Sequence, residues 1–269
     1  MEISSRRFYV VTGKGGVGKT TLALALTKYF CLNGKKAKYI CFENQLGDEA
    51  IKKHNVPYEE LHLITSVEKY IARKLRSPTL ASWIVKAPFF KALLQMVPGF
   101  SYLIFLGHIL DYELKNNPDL IIVLDSPASG HAITMFEACY NFKDIFQVGI
   151  LVDDINKMLS YVYESNILRV IVTALPTQMA INEAVELKNH INNLGIKDTL
   201  LIVNNCLSKI LNLEKEEGQY PDFLKSKIKI EQDVLEKHKT ELNSFLPHST
   251  SLEYSQIVED LVGQMDQLI

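Results

Sequence analysis

Three short apolar runs stand out along the chain and read as strands: Phe8–Val11, Ala37–Phe42 (AKYICF) and Leu120–Leu124 (LIIVL). The last is continuously apolar, as expected of a central parallel strand covered on both faces. Between these runs the apolar positions recur at helical spacing. Leu22–Leu26 opens a first helix, and Asn33-Gly34-Lys35-Lys36 is a stop signal for it. Residues 57–117 show no obvious strand. There Tyr58–Leu75 has amphipathic helical spacing, Ser77-Pro78 marks a break, and Leu80–Met96 and Tyr102–Leu114 predict two more helices joined by Val97-Pro98-Gly99. Val152–Glu164 and Ser251–Leu268 predict further amphipathic helices. Strands alternating with helices predict an α/β fold, a doubly wound and mainly parallel sheet with helices on both faces. Residues 57–117 form a helical elaboration of it. With no repeat and no linker, residues 1–269 are expected to be one domain.

The candidate chemistry lies where strands end. Phe8–Val11 runs into Gly13-Lys14-Gly15-Gly16-Val17-Gly18-Lys19-Thr20-Thr21, and a helix follows at once. Strand, glycine loop, Lys-Thr and helix in that order predict a phosphate-binding loop. Glycines let backbone N–H groups approach an oxyanion, and the helix N-terminus adds partial positive charge. In such a loop Gly13, Gly15, Gly16, Val17, Gly18 and Thr21 cradle the phosphates. Lys19 neutralises the β- and γ-phosphates, and the Thr20 hydroxyl ligates Mg²⁺. The second strand ends at Glu43, on the side of a parallel sheet that faces the ligand crevice. Glu43 is thus a candidate to orient the attacking water, or else a surface-loop carboxylate. The third ends in Asp125-Ser126-Pro127-Ala128-Ser129-Gly130-His131. An Asp at the end of a buried strand, opposite a phosphate loop, is placed to hold Mg²⁺. Gly130 is placed so that its N–H can meet the γ-phosphate and register its loss. His131 is expected to brace this segment rather than act as a base.

Composition narrows the field. The chain has 269 residues, 47% hydrophobic and 22% charged, with a net charge of −2. That suits a globular protein and gives no bulk attraction to nucleic acid or anionic membrane. Lys225-Ser-Lys227-Ile-Lys229 is followed by Glu231, Asp233 and Glu236, so it reads as a solvated helix face rather than a nucleic-acid patch. Lys215–Gly218 reads as a charged, solvated loop. The four cysteines, Cys31, Cys41, Cys139 and Cys206, lack short pairings and read as small core residues of a reduced cytoplasmic protein, with no zinc site expected. Ala87–Leu110 approaches membrane length but contains Pro98-Gly99, Lys91 and His108. The large apolar side chains of residues 57–117, among them Trp83, Phe89, Leu93, Met96, Phe100 and Phe105, are expected chiefly to pack as core, the alternative being a groove for a hydrophobic partner.

The loop Gly13–Thr21, with its early Lys14, resembles the deviant phosphate loop of the MinD/ArsA class of P-loop ATPases. Together with Asp125–His131 it is similar to the ArsA-type anion-transporting ATPases, a family that includes the arsenite-pump ATPase and the ATPase that targets tail-anchored membrane proteins. Val170–Pro176, the helix Met179–Leu194 and Leu200–Asn205 have similar counterparts there. The resemblance implies that Lys14 reaches across a homodimer to the partner's phosphates, that Asn204 reads the adenine, and that Phe245-Leu246-Pro247 covers it. It implies ATP and Mg²⁺ as ligands, ADP as product, and a protein or membrane-associated client. The first switch departs from the family's Asp-Pro-Ala-His: here it reads Glu43-Asn44-Gln45-Leu46-Gly47-Asp48, which leaves Glu43 in place of the usual catalytic Asp. The metalloid-binding and zinc-binding cysteines of the relatives have no counterpart. The expected function is a dimeric, Mg²⁺-dependent ATPase switch. The alternative is a nucleotide-gated binding module that hydrolyses little and presents its apolar helices to a client.

Overall fold

The computed structural model describes residues 6–42, 51–97, 99–127, 129–145, 150–164, 166–210 and 220–268. Its strands are β1 (Phe8–Gly13), β2 (Lys36–Phe42), β3 (Tyr58–Leu61), β4 (Leu120–Asp125), β5 (Leu168–Ala174), β6 (Thr199–Cys206) and β7 (Ser244–Pro247). They form one sheet in the order β3-β2-β4-β1-β5-β6-β7, and all its pairings are parallel. The α/β class with a phosphate-loop arrangement is therefore as the pattern predicted. The chain reverses its direction of travel across the sheet around β1. In an open parallel sheet a crevice forms at such a point, beyond the carboxyl ends of the strands.

Side chains alternate between the two faces of this sheet. Phe8, Val10, Ile40, Ile122 and Leu124 join one core cluster, and Tyr9, Val11, Tyr39, Ile121 and Val123 join the other. The second face is covered by α1 (Lys19–Leu32), through Leu22, Leu26 and Phe30, and by Val258 and Leu261 of a helix at Tyr254–Val262. The first face carries the helical elaboration: α2 (Leu63–Leu75), α3 (Pro78–Lys86), α4 (Pro88–Met96) and α5 (Phe100–Gly107). It also carries α6 (Ser129–Ile145), α7 (Ile150–Leu159) and α8 (Gln178–Asn193). Further helices among the described residues are α9 (Asp222–Lys237) and, at Tyr254–Val262, α10. Leu106, Phe136, Met158 and Ile181 share one cluster with the strands, so sheet and helical layer have a common core. Each fully buried side chain of this size contributes about 1.5–3 kcal/mol. Among the described residues no helix is long and apolar enough to cross a membrane.

Several boundaries differ from the pattern's prediction. Tyr58–Leu61 is a strand rather than the first turn of a helix, so residues 57–117 do contain one: it pairs with β2 from Tyr39↔Tyr58 to Phe42↔Leu61. Ladder bonds to an available edge outweigh a local helical spacing. The helix over Leu80–Met96 is two helices, because Pro88 has no N–H to donate and forces Ala87 out of the helical region to ψ 134°. The helix over Tyr102–Leu114 is α5, continued by a π-helical segment His108–Leu114, and α7 likewise continues as a π-helical turn, Ser160–Glu164. The last helix is shorter than Ser251–Leu268, with a separate 3₁₀ turn at Met265–Gln267. The apolar residues of the elaboration divide between the two expected environments. Phe100, Leu103, Ile104 and Phe105 are buried, whereas Trp83, Phe89 and Met96 are 73%, 79% and 77% exposed.

Candidate functional site

The loop between β1 and α1 takes its shape from two close approaches. Gly13 has φ 145°, and a Cβ there would lie 2.3 Å from the Thr173 carbonyl oxygen of β5. Gly18 has φ 91°, and a Cβ there would lie 2.3 Å from the Asn204 amide nitrogen of β6. Only glycine meets both demands. Asn204 Nδ2 donates to the Val17 carbonyl at 3.0 Å, which ties the loop to the end of β6. Lys19 Nζ donates to the Lys14 carbonyl at 2.9 Å, closing the loop over its own ammonium. Burial pushes the Lys19 ammonium down, and the carboxylate of Asp125 offsets part of this.

Asp125 sits at the carboxyl end of β4, with 1% of its surface exposed. Its Oδ2 accepts from the Thr20 hydroxyl at 2.6 Å and from the Tyr39 hydroxyl at 2.9 Å. Its Oδ1 is buried and has no hydrogen-bond partner among the described residues. Burial pushes this carboxyl up, opposed by the two hydroxyls and by Lys19. A buried acceptor left open beside a hydroxyl that can also ligate is a hard-oxygen donor set, which fits a Mg²⁺ ion held largely through water.

Two cavities flank the loop. One of about 340 Å³ is lined by Gly13, Lys14, Gly130, Thr173, Glu183 and His190. In it Lys14 Nζ lies 2.5 Å from Glu183 Oε1 of α8, so within a single chain the early lysine already has an anionic partner. Gly130, exposed in the first turn of α6, faces the same space. The other, of about 190 Å³, is lined by Gly16, Gly18, Thr21, Leu175, Asn204 and Pro247. The loop, Asn204 and Pro247 are therefore brought together, as are Thr20 with Asp125 and Lys14 with Gly130. Glu43, and with it the whole segment Glu43–Asp48, lies outside the described residues, as do Ala128 and Lys215–Gly218.

Other side chains gave no sign of a role in the sequence. Tyr39 lies within an ordinary apolar strand, although period-2 alternation puts it on the same face as Asp125. Glu183 is one carboxylate on a polar helix face. Tyr102 places its hydroxyl 2.7 Å from His131 Nδ1, which braces the start of α6 from α5. Glu231 corrects the expectation of a solvated acidic run. It is 3% exposed and accepts from the backbone N–H groups of Leu207 and Ser208 at 3.2 and 2.8 Å, capping the turn after β6. Cys41, Cys139 and Cys206 are buried, as expected of small core residues, and Cys31 is partly exposed. Burial pushes the Cys139 and Cys206 thiols up to about 12.

A further polar cluster lies under the helical layer: Glu59, His108 and Glu113 bring possible ligand atoms within 4.8 Å of one another. Lys38 already bridges it, at 3.2 Å from Glu59 and 2.8 Å from Glu113. Arg73 reaches His108 Nδ1 at 3.3 and 3.2 Å, and His108 Nε2 lies 3.1 Å from Glu59. An arginine can only donate, so Nδ1 accepts and the ring proton sits on Nε2, pointing at Glu59. The cluster is an ion-pair network whose carboxylates are already compensated.

The model of a family described as anion-transporting ATPase matches residues 6–164. ATPase ASNA1 homolog 2 of Paramecium tetraurelia is 26% identical over 163 residues, which cover 56% of this chain and 48% of that protein. ATPase ASNA1 homolog 1 of the same organism is 25% identical over 163 residues, covering 56% and 47%. The chain thus spans about half the length of the curated relatives it matches.

Proposed function

Because the chain belongs to the anion-transporting ATPase family, we propose that it is a Mg²⁺-dependent ATPase whose sites are completed in a homodimer. The observation that carries the reading is the pairing of Thr20 with Asp125 at the mouth of the glycine loop, with Asp125 Oδ1 left open. In this reading Gly13, Gly15, Gly16, Val17, Gly18 and Thr21 present backbone N–H groups to the phosphates, and Lys19 leaves the Lys14 carbonyl to meet the β/γ bridge. Thr20 and Asp125 hold the metal, which when bound supplies neutralisation of charge on the phosphate oxygens. Asn204 and Pro247 enclose the base, and Gly130 reports the γ-phosphate to α6. Glu43 orients the attacking water. Lys14 leaves Glu183 and acts in trans on the developing charge, as an arginine finger does. The chain works as one cytoplasmic ATPase domain, with no nucleic-acid partner, and couples hydrolysis to a protein or membrane-associated client.

The test is ATP turnover per subunit against protein concentration with Mg²⁺ present. A rise to a plateau supports sites shared across a dimer. Activity independent of concentration argues against them. Lys14→Ala is expected to keep ATP binding and lose about 10³-fold in turnover, and unchanged turnover removes the trans role.

A second reading rests on Trp83, Phe89 and Met96, large apolar side chains more than 70% exposed. A nucleotide-gated binder would offer that surface to a client while hydrolysing little. Binding of an apolar dye that changes between ATP and ADP, at negligible turnover, favours it.

A further inference from the structure

Tyr39 lies in the middle of β2 with none of its surface exposed, and its ring packs in the core cluster between the sheet and α1. A buried phenol needs a partner for its hydroxyl, and here the partner is Asp125. The register explains how it reaches. Tyr39 pairs with Val123 and Cys41 with Asp125, so the ring extends diagonally along one face to the carboxylate two residues beyond its own neighbour. Thr20, at the start of α1, approaches the same oxygen from the layer above. Oδ2 therefore receives two donors from two different elements, while Oδ1 receives none among the described residues.

We propose that Tyr39 is a positioning residue for a divalent cation: it fixes the plane of the Asp125 carboxylate so that Oδ1 stays turned towards the metal. This rests on the ATPase reading above. A carboxylate held by one hydroxyl pivots about that single contact, and one held by two from different directions does not. Thr20 alone is a poor anchor, because the same hydroxyl is also asked to offer a lone pair to the cation. The phenol supplies the second anchor without competing for the metal, since a buried Tyr donates its one proton and stays neutral. Partners behind a metal ligand commonly govern metal affinity in this way.

Tyr39→Phe keeps the ring and removes only the donor. The measurement is binding of a fluorescent ADP analogue titrated with Mg²⁺, repeated in chelator, with thermal melting as a check on the fold. The half-saturating Mg²⁺ concentration is expected to rise about tenfold, while affinity for the nucleotide without metal changes less than about twofold and the melting temperature holds within a few degrees. A purely structural role for Tyr39 shifts the melting temperature, or weakens binding equally with and without metal, and either result overturns the proposal. So does an unchanged Mg²⁺ midpoint. Asp125→Asn in parallel separates the two levels of the argument. If it abolishes the metal dependence and Tyr39→Phe leaves it untouched, the site stands and Tyr39 has no role in it. If the unaltered protein shows no metal dependence at all, the site reading falls and takes the Tyr39 proposal with it.

Discussion

The loop end of the sheet and the helical layer over residues 58–114 are held together by opposite means. At the loop end the geometry is made by backbone: Gly13 and Gly18 lie against β5 and β6, and the carbonyls of Lys14 and Val17 receive Lys19 and Asn204. In the layer, an apolar core also encloses charges, and some large apolar groups stand outside. Lys38 bridges Glu59 and Glu113, His108 is 2% exposed, and Lys74 meets the buried Asp154 at 2.5 Å, while Trp83 and Phe89 stand in solvent. A loop wedged between two strands has a single arrangement. Ion pairs between separate elements, by contrast, can break individually. The Tyr102–His131 contact is one place where the two regions touch.

The contrast is broken most severely at Gly13. Gly13→Ala adds a Cβ at 2.3 Å from a backbone carbonyl and holds an alanine at φ 145°. The carbonyl belongs to a central strand and cannot retreat, so a destabilisation of about 3 kcal/mol is expected from strain and overpacking together, read by urea denaturation. An unchanged midpoint means the loop is less fixed than its contacts indicate.

Glu59→Gln attacks the layer. The His108 ring hydrogen-bonded to Glu59, with Lys38 beside it, holds this carboxyl down at about 2, against an ordinary 4.5. A depressed folded value stabilises above the unfolded one and is lost as pH falls through the folded one. The contribution is thus complete above pH 4.5 and gone below about 2. The variant is expected to be about 2 kcal/mol less stable near neutrality, under the range for fully buried pairs because Glu59 keeps 23% of its side chain exposed. The gap between the two proteins should close between pH 4.5 and 2. A gap that persists in acid means that packing, not charge, is what the substitution removed.

The sharing of Lys14 gives a smaller effect. Its pair with Glu183 joins side chains 55% and 41% exposed, and such pairs contribute up to about 1 kcal/mol. Glu183→Gln should release the lysine and lower the protein concentration for half-maximal turnover a few-fold, leaving the plateau in place. A lowered plateau instead gives Glu183 a role in the reaction.

The legibility of the sequence follows the same division. The loop and Asp125 could be read because each depends on local rules, a glycine turn or a polar residue at a strand end, whereas Asn204 and Pro247 were implied only by the family resemblance. Tyr39, Glu183 and Tyr102 could not, since each acquires its role from a contact far along the chain. The layer misled for a different reason. Tyr58–Leu61 has helical spacing but meets the open edge of β2, and tertiary pairing decides. Pro88 was a legible break inside the run Leu80–Met96 that the apolar spacing hid. The division of that run into buried and exposed sides depends on which helices lie beside it, and no spacing along the chain records this.

The smallest expected effect tests that division directly. Trp83 and Phe89, on α3 and α4, are 73% and 79% exposed, so their truncation removes little buried area. Trp83→Ala and Phe89→Ala should each change stability by no more than about 0.5 kcal/mol. Burial in the core would cost either ring about 3–5 kcal/mol on truncation to alanine. The same variants should lower binding of an apolar dye, with nucleotide affinity unchanged. Loss of dye binding at constant stability assigns the outer side of the layer to a partner. Loss of stability instead places these rings against other regions of the molecule, and makes the helical layer core throughout, as its composition first suggested.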